Sequence, residues 1–198
     1  NNRNARRKQS GTLIWWFKEW LDKEKLHDKA CLIMHTEPKD PHGQDLEHII
    51  GHLGLKDRQI MLSTQKMPPE NLAQIYSMVD CTINISDAEG FGLATLESLS
   101  CGTPIIATMT GGLQEQVTDG TTEFGVGLIP RSKSVIGSQQ VPYIYEDRID
   151  KAQFHSALSK IYKMGKEERR RLGTLGKEHV EENYNFEKLQ KKWALKNR

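Results

Sequence analysis

The chain has no apolar run long enough to cross a bilayer, so no helical membrane span is expected within it. Cysteine is scarce: Cys31, Cys81 and Cys101 are an odd number without short metal-type spacing. That argues against a disulfide framework or a zinc site and predicts three reduced, buried thiols. Net charge is small, +2 from 28 basic and 26 acidic residues, too little to imply a nucleic-acid partner. Internal repeats and low-complexity segments are absent, and nothing resembles a signal peptide. The first residue is Asn1 rather than Met, so a piece of a longer chain is expected. What remains is 198 residues with 36% apolar and 27% charged content, a globular profile. The basic residues are unevenly placed, with Arg3, Arg6, Arg7 and Lys8 crowding the start.

Short apolar runs alternate with longer amphipathic segments. Leu13, Ile14, Phe17, Trp20 and Leu21 recur at helical spacing and predict a helix over about 11–25. Strands are expected at 30–35, 59–63, 81–86, 103–108 and 124–129, and helices at about 43–55, 68–80, 93–101 and 112–117. The prolines opening 68–80 suit a first helical turn, and Gly102 can end 93–101. This alternation predicts an α/β fold: a Rossmann-like, doubly wound parallel sheet over residues 1–148. Residues 131–148 break the rhythm and read as a long loop. C-terminal helices follow at about 149–163, 166–182 and 186–197; the charged run 166–173 reads as a solvated helix face.

Ligands of parallel sheets bind at the carboxyl ends of the strands. The segment "SDAEGFGLATLESLSCGTPIIA" leaves such an end. Gly90 and Gly92 let the backbone bend and let a ligand approach without a Cβ in the way. A helix starting near Leu93 would point unpaired N–H groups at the turn, which favours a phosphate. Glu97, eight positions after Glu89, lies about one turn inside that helix, where a carboxylate can accept from a pair of hydroxyls. Phosphates at one end of a ligand and hydroxyls at the other would suit both halves of this arrangement.

These motifs resemble the retaining glycosyltransferases of the GT-B fold, especially glycosyltransferase family 4. The family pattern of two glutamates separated by seven residues is met by Glu89 and Glu97, with Gly90, Phe91, Gly92 and Leu93 completing "EGFGL" and "GTPII" following. "TGGLQEQVTDG" is similar to the next family segment, through Gly111, Gly112, Glu115 and Gly120. The family's basic pair, an Arg and five residues on a Lys, is matched by Arg3 and Lys8, with Arg6 or Arg7 as alternatives to Arg3.

By resemblance, Arg3 and Lys8 grip the donor diphosphate and stabilise the charge it gains on leaving. Glu97 holds the ribose, and Glu89 faces the donor sugar. The backbone of Phe91, Gly92 and Leu93 contacts sugar and phosphate, and the base lies near Ser63–Met67. The resemblance implies one half of a GT-B enzyme, the donor-binding half, acting on a UDP-, GDP- or ADP-linked sugar with retention of configuration. No metal or other cofactor is required. The acceptor domain, expected on the N-terminal side, is missing, so this part alone should bind donor but hardly transfer sugar. Helices 149–198 would pack on the 1–148 domain and on that missing domain. A cytoplasmic location is implied, with membrane-surface association open through the missing part.

Other residues invite plainer readings. His35 ends a strand as a core or rim residue. His48 and His52 share a helical face without a third ligand, so no metal is expected. Trp15, Trp16 and Trp20 read as packing, and Trp193 as cover for a neighbouring domain. Two further functional classes stay open: a nucleotide-sugar epimerase of related fold, and a non-catalytic nucleotide- or phosphate-binding module. A flavodoxin-like signalling domain would need an acidic pocket where this chain is basic.

Overall fold

The computed structural model describes residues 1–137, 139–188, 190 and 193. Its first regular element is a single 3-10 turn, Arg6–Lys8, which ends on Gln9 in the left-handed region (φ +57°). The helix α1 (Ser10–Glu24) follows at once, and Leu13, Ile14, Phe17, Trp20 and Leu21 form its buried stripe. Strand β1 (Leu32–His35) pairs in parallel with β2 (Ile60–Ser63), Leu32 opposite Ile60. Between them lies α2 (Leu46–His52), whose start is fixed by Asp45 accepting from the His48 N–H at 2.9 Å. Next comes α3 (Pro69–Met78), opened by the two prolines.

A second parallel sheet joins β3 (Thr82–Asn84), β4 (Ile105–Thr108) and β5 (Gly125–Leu128), with β4 in the middle and buried throughout. Its crossovers are α4 (Leu93–Ser100) and the short α5 (Leu113–Val117). The fold class is therefore the expected parallel α/β arrangement with flanking helices, its strands divided between two sheets. A groove of about 570 Å³ separates them, walled by Leu32 and Met34 on one side and Thr82 and Ile83 on the other.

Residues 131–148 depart from expectation. They form an antiparallel hairpin, β6 (Ser132–Ile136) and β7 (Ile144–Arg148), with Ser134 opposite Glu146. The alternation that should reveal a strand is hidden, because the inward position of β7 is held by charge pairing at Glu146 rather than by an apolar side chain.

Two helices close the described structure, α6 (Lys151–Lys163), capped by Asp150, and α7 (Lys166–Asn183). The helix expected over 186–197 lies largely outside the described residues; Trp193 is exposed. Within the charged run of α7, most side chains are solvated, but Arg169 pairs with Asp80 at 3.0 Å and donates to the Met164 carbonyl at the end of α6. Gly173 and Gly176 let α7 press on α4: a Cβ on Gly173 would sit 1.9 Å from the Gly102 oxygen, and one on Gly176 2.6 Å from Leu99. One large apolar cluster joins α1, β1 and α6, and a smaller one packs α4, β4, α5 and Val180 of α7.

The cysteine expectation needs correcting. All three thiols are free, but none belongs to a fully buried residue: Cys31 is exposed, because the regular strand begins only at Leu32, and Cys81 and Cys101 are half-buried. Burial pushes the Cys81 thiol up to about 12. Trp20 is buried and donates to Ser159 Oγ at 2.9 Å, and Trp16 lies against Phe154, both as packing. Trp15 is partly exposed beside His52.

Candidate active site

Two glycine turns meet at the carboxyl ends of β3 and β4. The turn after β3 reaches α4 through Gly92, at φ +87°, where a Cβ would also strike Leu113 at 2.4 Å. The turn after β4 passes through Gly111, at φ +49°, where a Cβ would lie 1.7 Å from the Glu89 oxygen. Gly112 N–H donates to the Gly90 carbonyl at 3.1 Å. The buried Gln116 completes the clamp: its amide donates to the Phe91 carbonyl at 2.6 Å and accepts from Thr95 Oγ1 at 2.6 Å. The two motif segments are thus held backbone against backbone. The first helical residues of α4 have no side-chain cap, so their N–H groups stay free for an anion, between exposed Phe91 and Leu93.

The cations come from the 3-10 turn. Lys8 Nζ pairs with Glu89 Oε2, and both side chains are nearly buried, at 12% and 10% exposure. Arg7 donates to the same carboxylate oxygen at 3.2 Å and to the Ala88 carbonyl at 2.6 Å. Arg6 points elsewhere, forking onto both oxygens of buried Glu146 on β7. Arg148 joins Glu146 at 2.8 Å and also pairs with Asp87, which accepts from Gln9 at 2.5 Å. Arg6 and Arg148 together hold the Glu146 carboxyl below the usual carboxylate range despite its burial. Arg3 is turned onto Asp40 through two bonds, of 2.6 and 3.1 Å.

On the far side, Glu97 Oε2 accepts from the Tyr76 hydroxyl at 2.8 Å. Burial pushes that phenol up, so it remains a donor. Asn1 lies beside this pair, its side-chain amide donating to the Tyr76 oxygen at 2.9 Å and reaching Glu97 Oε2 at 3.5 Å. Both ends belong to one stretch of chain, Glu89 just before α4 and Glu97 on that helix. His35 sits at the rim with its Nδ1 2.9 Å from Ser63 Oγ, at the carboxyl end of β2. Among the described residues, no group of three or more His, Cys, Asp or Glu side chains could hold a metal. The 570 Å³ groove is lined by Asn1, His35 and Tyr76 but by neither Lys8 nor either glutamate.

Of the residues singled out from the sequence, the structure brings Lys8, Glu89, Gly90, Phe91, Gly92 and Leu93 together, with Glu97 further along α4. It places Arg7, rather than Arg3, against Glu89. Sequence reading missed Gln116, Asp87, Glu146, Arg148 and Tyr76 as site residues. The position of Gln116 one residue after Glu115, in a segment already singled out, was the available signal for it. Glu146 and Arg148 lie about 60 residues beyond Glu89, and no local pattern joins them to it.

Comparison with known proteins gives the family and the fold. The family described as "Glycosyl transferases group 1" matches residues 21–133. A D-inositol 3-phosphate glycosyltransferase of Acidothermus cellulolyticus is 40% identical over 85 residues, 43% of this chain and 17% of that protein. Among solved structures, a sucrose-phosphate synthase from Thermosynechococcus elongatus superposes with a TM-score of 0.73 at 25% identity, over 99% of this chain and 43% of that one. The C-terminal domain of a glycosyl transferase group 1 family protein from Francisella tularensis gives 0.68 at 22% identity, over 93% of this chain and 83% of that one. The chain thus spans under half the length of the first two relatives.

Proposed function

From the premise that this chain belongs to the group 1 glycosyl transferases, with a Rossmann-like α/β fold matching GT-B neighbours, we propose that it is the donor-binding half of such an enzyme. It would take a nucleoside diphosphate sugar and release the sugar to an acceptor held by another domain, with retention of configuration. One observation carries the reading: Arg7 and Lys8 converge on Glu89 beside the uncapped start of α4, the helix that also carries Glu97.

The chemistry divides among these groups. A departing diphosphate gains negative charge, and two fixed cations plus free helix N–H groups stabilise it in place. Arg forks onto two oxygens, while Lys supplies a point charge. Glu89 pairs with both cations and leaves one positive charge uncompensated, so the phosphates would take over that pairing and leave Glu89 facing the sugar. Developing positive charge at the anomeric carbon would be stabilised by that carboxylate. Arg3 would join the phosphates by leaving Asp40. Glu97, held by the Tyr76 hydroxyl through one oxygen, keeps its other oxygen for ribose hydroxyls. The base would lie towards Ser63–Met67. No step here calls on a metal.

Thermal stabilisation of the protein by UDP-, GDP- and ADP-linked sugars, beside the free nucleosides, tests the proposal. Ligand at about 100 times its dissociation constant adds roughly 2.7 kcal/mol, a Tm rise of roughly 5–10 °C for a chain of this size. A response to one diphosphate series, lost in Glu97→Ala, is expected. No response to any of them, in the full-length protein as well, would overturn the donor-site reading.

A further inference from the structure

Three consecutive cations, Arg6, Arg7 and Lys8, share one 3-10 turn, and their mutual repulsion favours opening it. The structure sorts them: two face Glu89, and one is bound by the hairpin. Resting on the donor-site reading above, we propose that Glu146 is a positioning residue for diphosphate recognition. It anchors Arg6 so that the turn presents Arg7 and Lys8 to the ligand.

The geometry is specific. Glu146 is 1% exposed, accepts from both terminal guanidinium nitrogens of Arg6, and accepts a third bond from Arg148. Arg6 is therefore an anchor and not a third phosphate ligand. The main chain repeats the linkage: Asp147 N–H donates to the Asp87 carbonyl at 2.7 Å, and Asp87 N–H to the Arg7 carbonyl at 2.8 Å. Asp87 in turn pairs with Arg148, two residues from Glu146 and on the same hairpin face. Hairpin, β3 loop and cationic turn thus form one cross-linked body of alternating charge. Removing only the Glu146 charge leaves Arg6 against Arg148 without their shared counter-anion, and the turn should loosen. The hairpin, although it lies outside the glycine motifs, thereby sets the spacing of the phosphate ligands.

The experiment compares Glu146→Gln with wild type in the full-length protein, using the nucleoside diphosphate and nucleoside pair of each base. The diphosphate that binds wild type should bind the variant roughly tenfold more weakly, about the loss of one charge-assisted hydrogen bond, while its nucleoside holds within about twofold. Glu146→Asp should recover part of the loss. A ligand-free readout runs beside it: the rate at which an amine-reactive reagent labels Lys8. That rate should rise several-fold in Glu146→Gln, with Lys18 and Lys39 unchanged. Equal weakening of nucleoside and diphosphate, or unaltered Lys8 labelling, overturns the proposal. If wild type binds no nucleotide at all, the donor-site reading falls, and Lys8 labelling alone decides whether Glu146 sets the turn. Should Glu146→Gln fail to fold, Arg6→Lys removes the same fork from the other side and must give the same selective loss.

Discussion

Replacing Gly111 by Ala tests the claim that the two motif turns hold each other through bare backbone. The new Cβ would lie 1.7 Å from the Glu89 oxygen and 2.9 Å from its carbonyl carbon, whereas real Cβ contacts essentially never fall under 3.0 Å. Glu89 is main chain here, so no rotamer change relieves the clash and the two turns must separate. The left-handed backbone at φ +49° adds about 1–2 kcal/mol for a residue with a side chain. Overpacking adds about 1–3 kcal/mol more. The total of roughly 2–5 kcal/mol corresponds to a Tm fall of roughly 5–15 °C. Gly120→Ala isolates the first contribution, because Gly120 has φ +95° but nothing within 4 Å of its added Cβ. Thermal unfolding of both variants, with nucleotide binding measured on each, separates conformational cost from contact. Gly120→Ala should lose about 1–2 kcal/mol and keep its ligand affinity, whereas Gly111→Ala should lose more and bind poorly as Glu89 is displaced. Equal Tm losses with equal affinities would refute the backbone contact.

Four further outcomes are expected. Glu97→Ala should weaken nucleotide binding by about 1.5–3 kcal/mol through a lost charged acceptor, read by calorimetry; unchanged affinity would end the ribose assignment. Lys8→Ala should weaken diphosphates more than nucleosides, and a uniform effect would reduce Lys8 to general basic surface. Gly51→Ala should stabilise by about 0.5–1 kcal/mol, since Gly51 lies inside α2 with open space around it; a lower urea midpoint would show that α2 is not helical there. Stability should hold from neutral pH down to about the ordinary glutamate value of 4.5 and fall below it. Glu146, depressed chiefly by its bond to Arg6, and Asp40, depressed to about 2 by Arg3, contribute above their unfolded values and lose that contribution as pH drops through the folded ones. A Glu146→Gln variant whose acid unfolding curve keeps the wild-type shape would contradict this account.

Much of the fold was legible because each element announces itself locally. The Leu13–Leu21 stripe, the prolines before α3 and the β-branched run of β3 place their elements within about two residues of the observed bounds. The glycines were legible as turns, but the partner each one meets was not, since Gly111 answers to the Glu89 carbonyl and not to any side chain a motif could display. Spacing alone could not choose between Arg3 and Arg7. Four basic residues in six positions are degenerate until the 3-10 turn and the left-handed Gln9 fix which side each faces. The hairpin stayed hidden for a related reason: its inward residues are charged, and its Val135 and Tyr145 lie exposed, so hydrophobic periodicity carries the wrong sign.

The glycines of α7 have a mechanical consequence. Gly173 seats the helix on the Gly102 turn at the end of α4, and at its other end Tyr184 meets the ring of Phe91, with His179 between Phe124 and the Glu115 carbonyl. Eighteen residues make a rod about 27 Å long, and its close seat at Gly173 and Gly176 makes it a beam clamped near its middle. The chain leaving α7 is thereby tied, through Tyr184, to the aromatic ring beside the Gly92 turn.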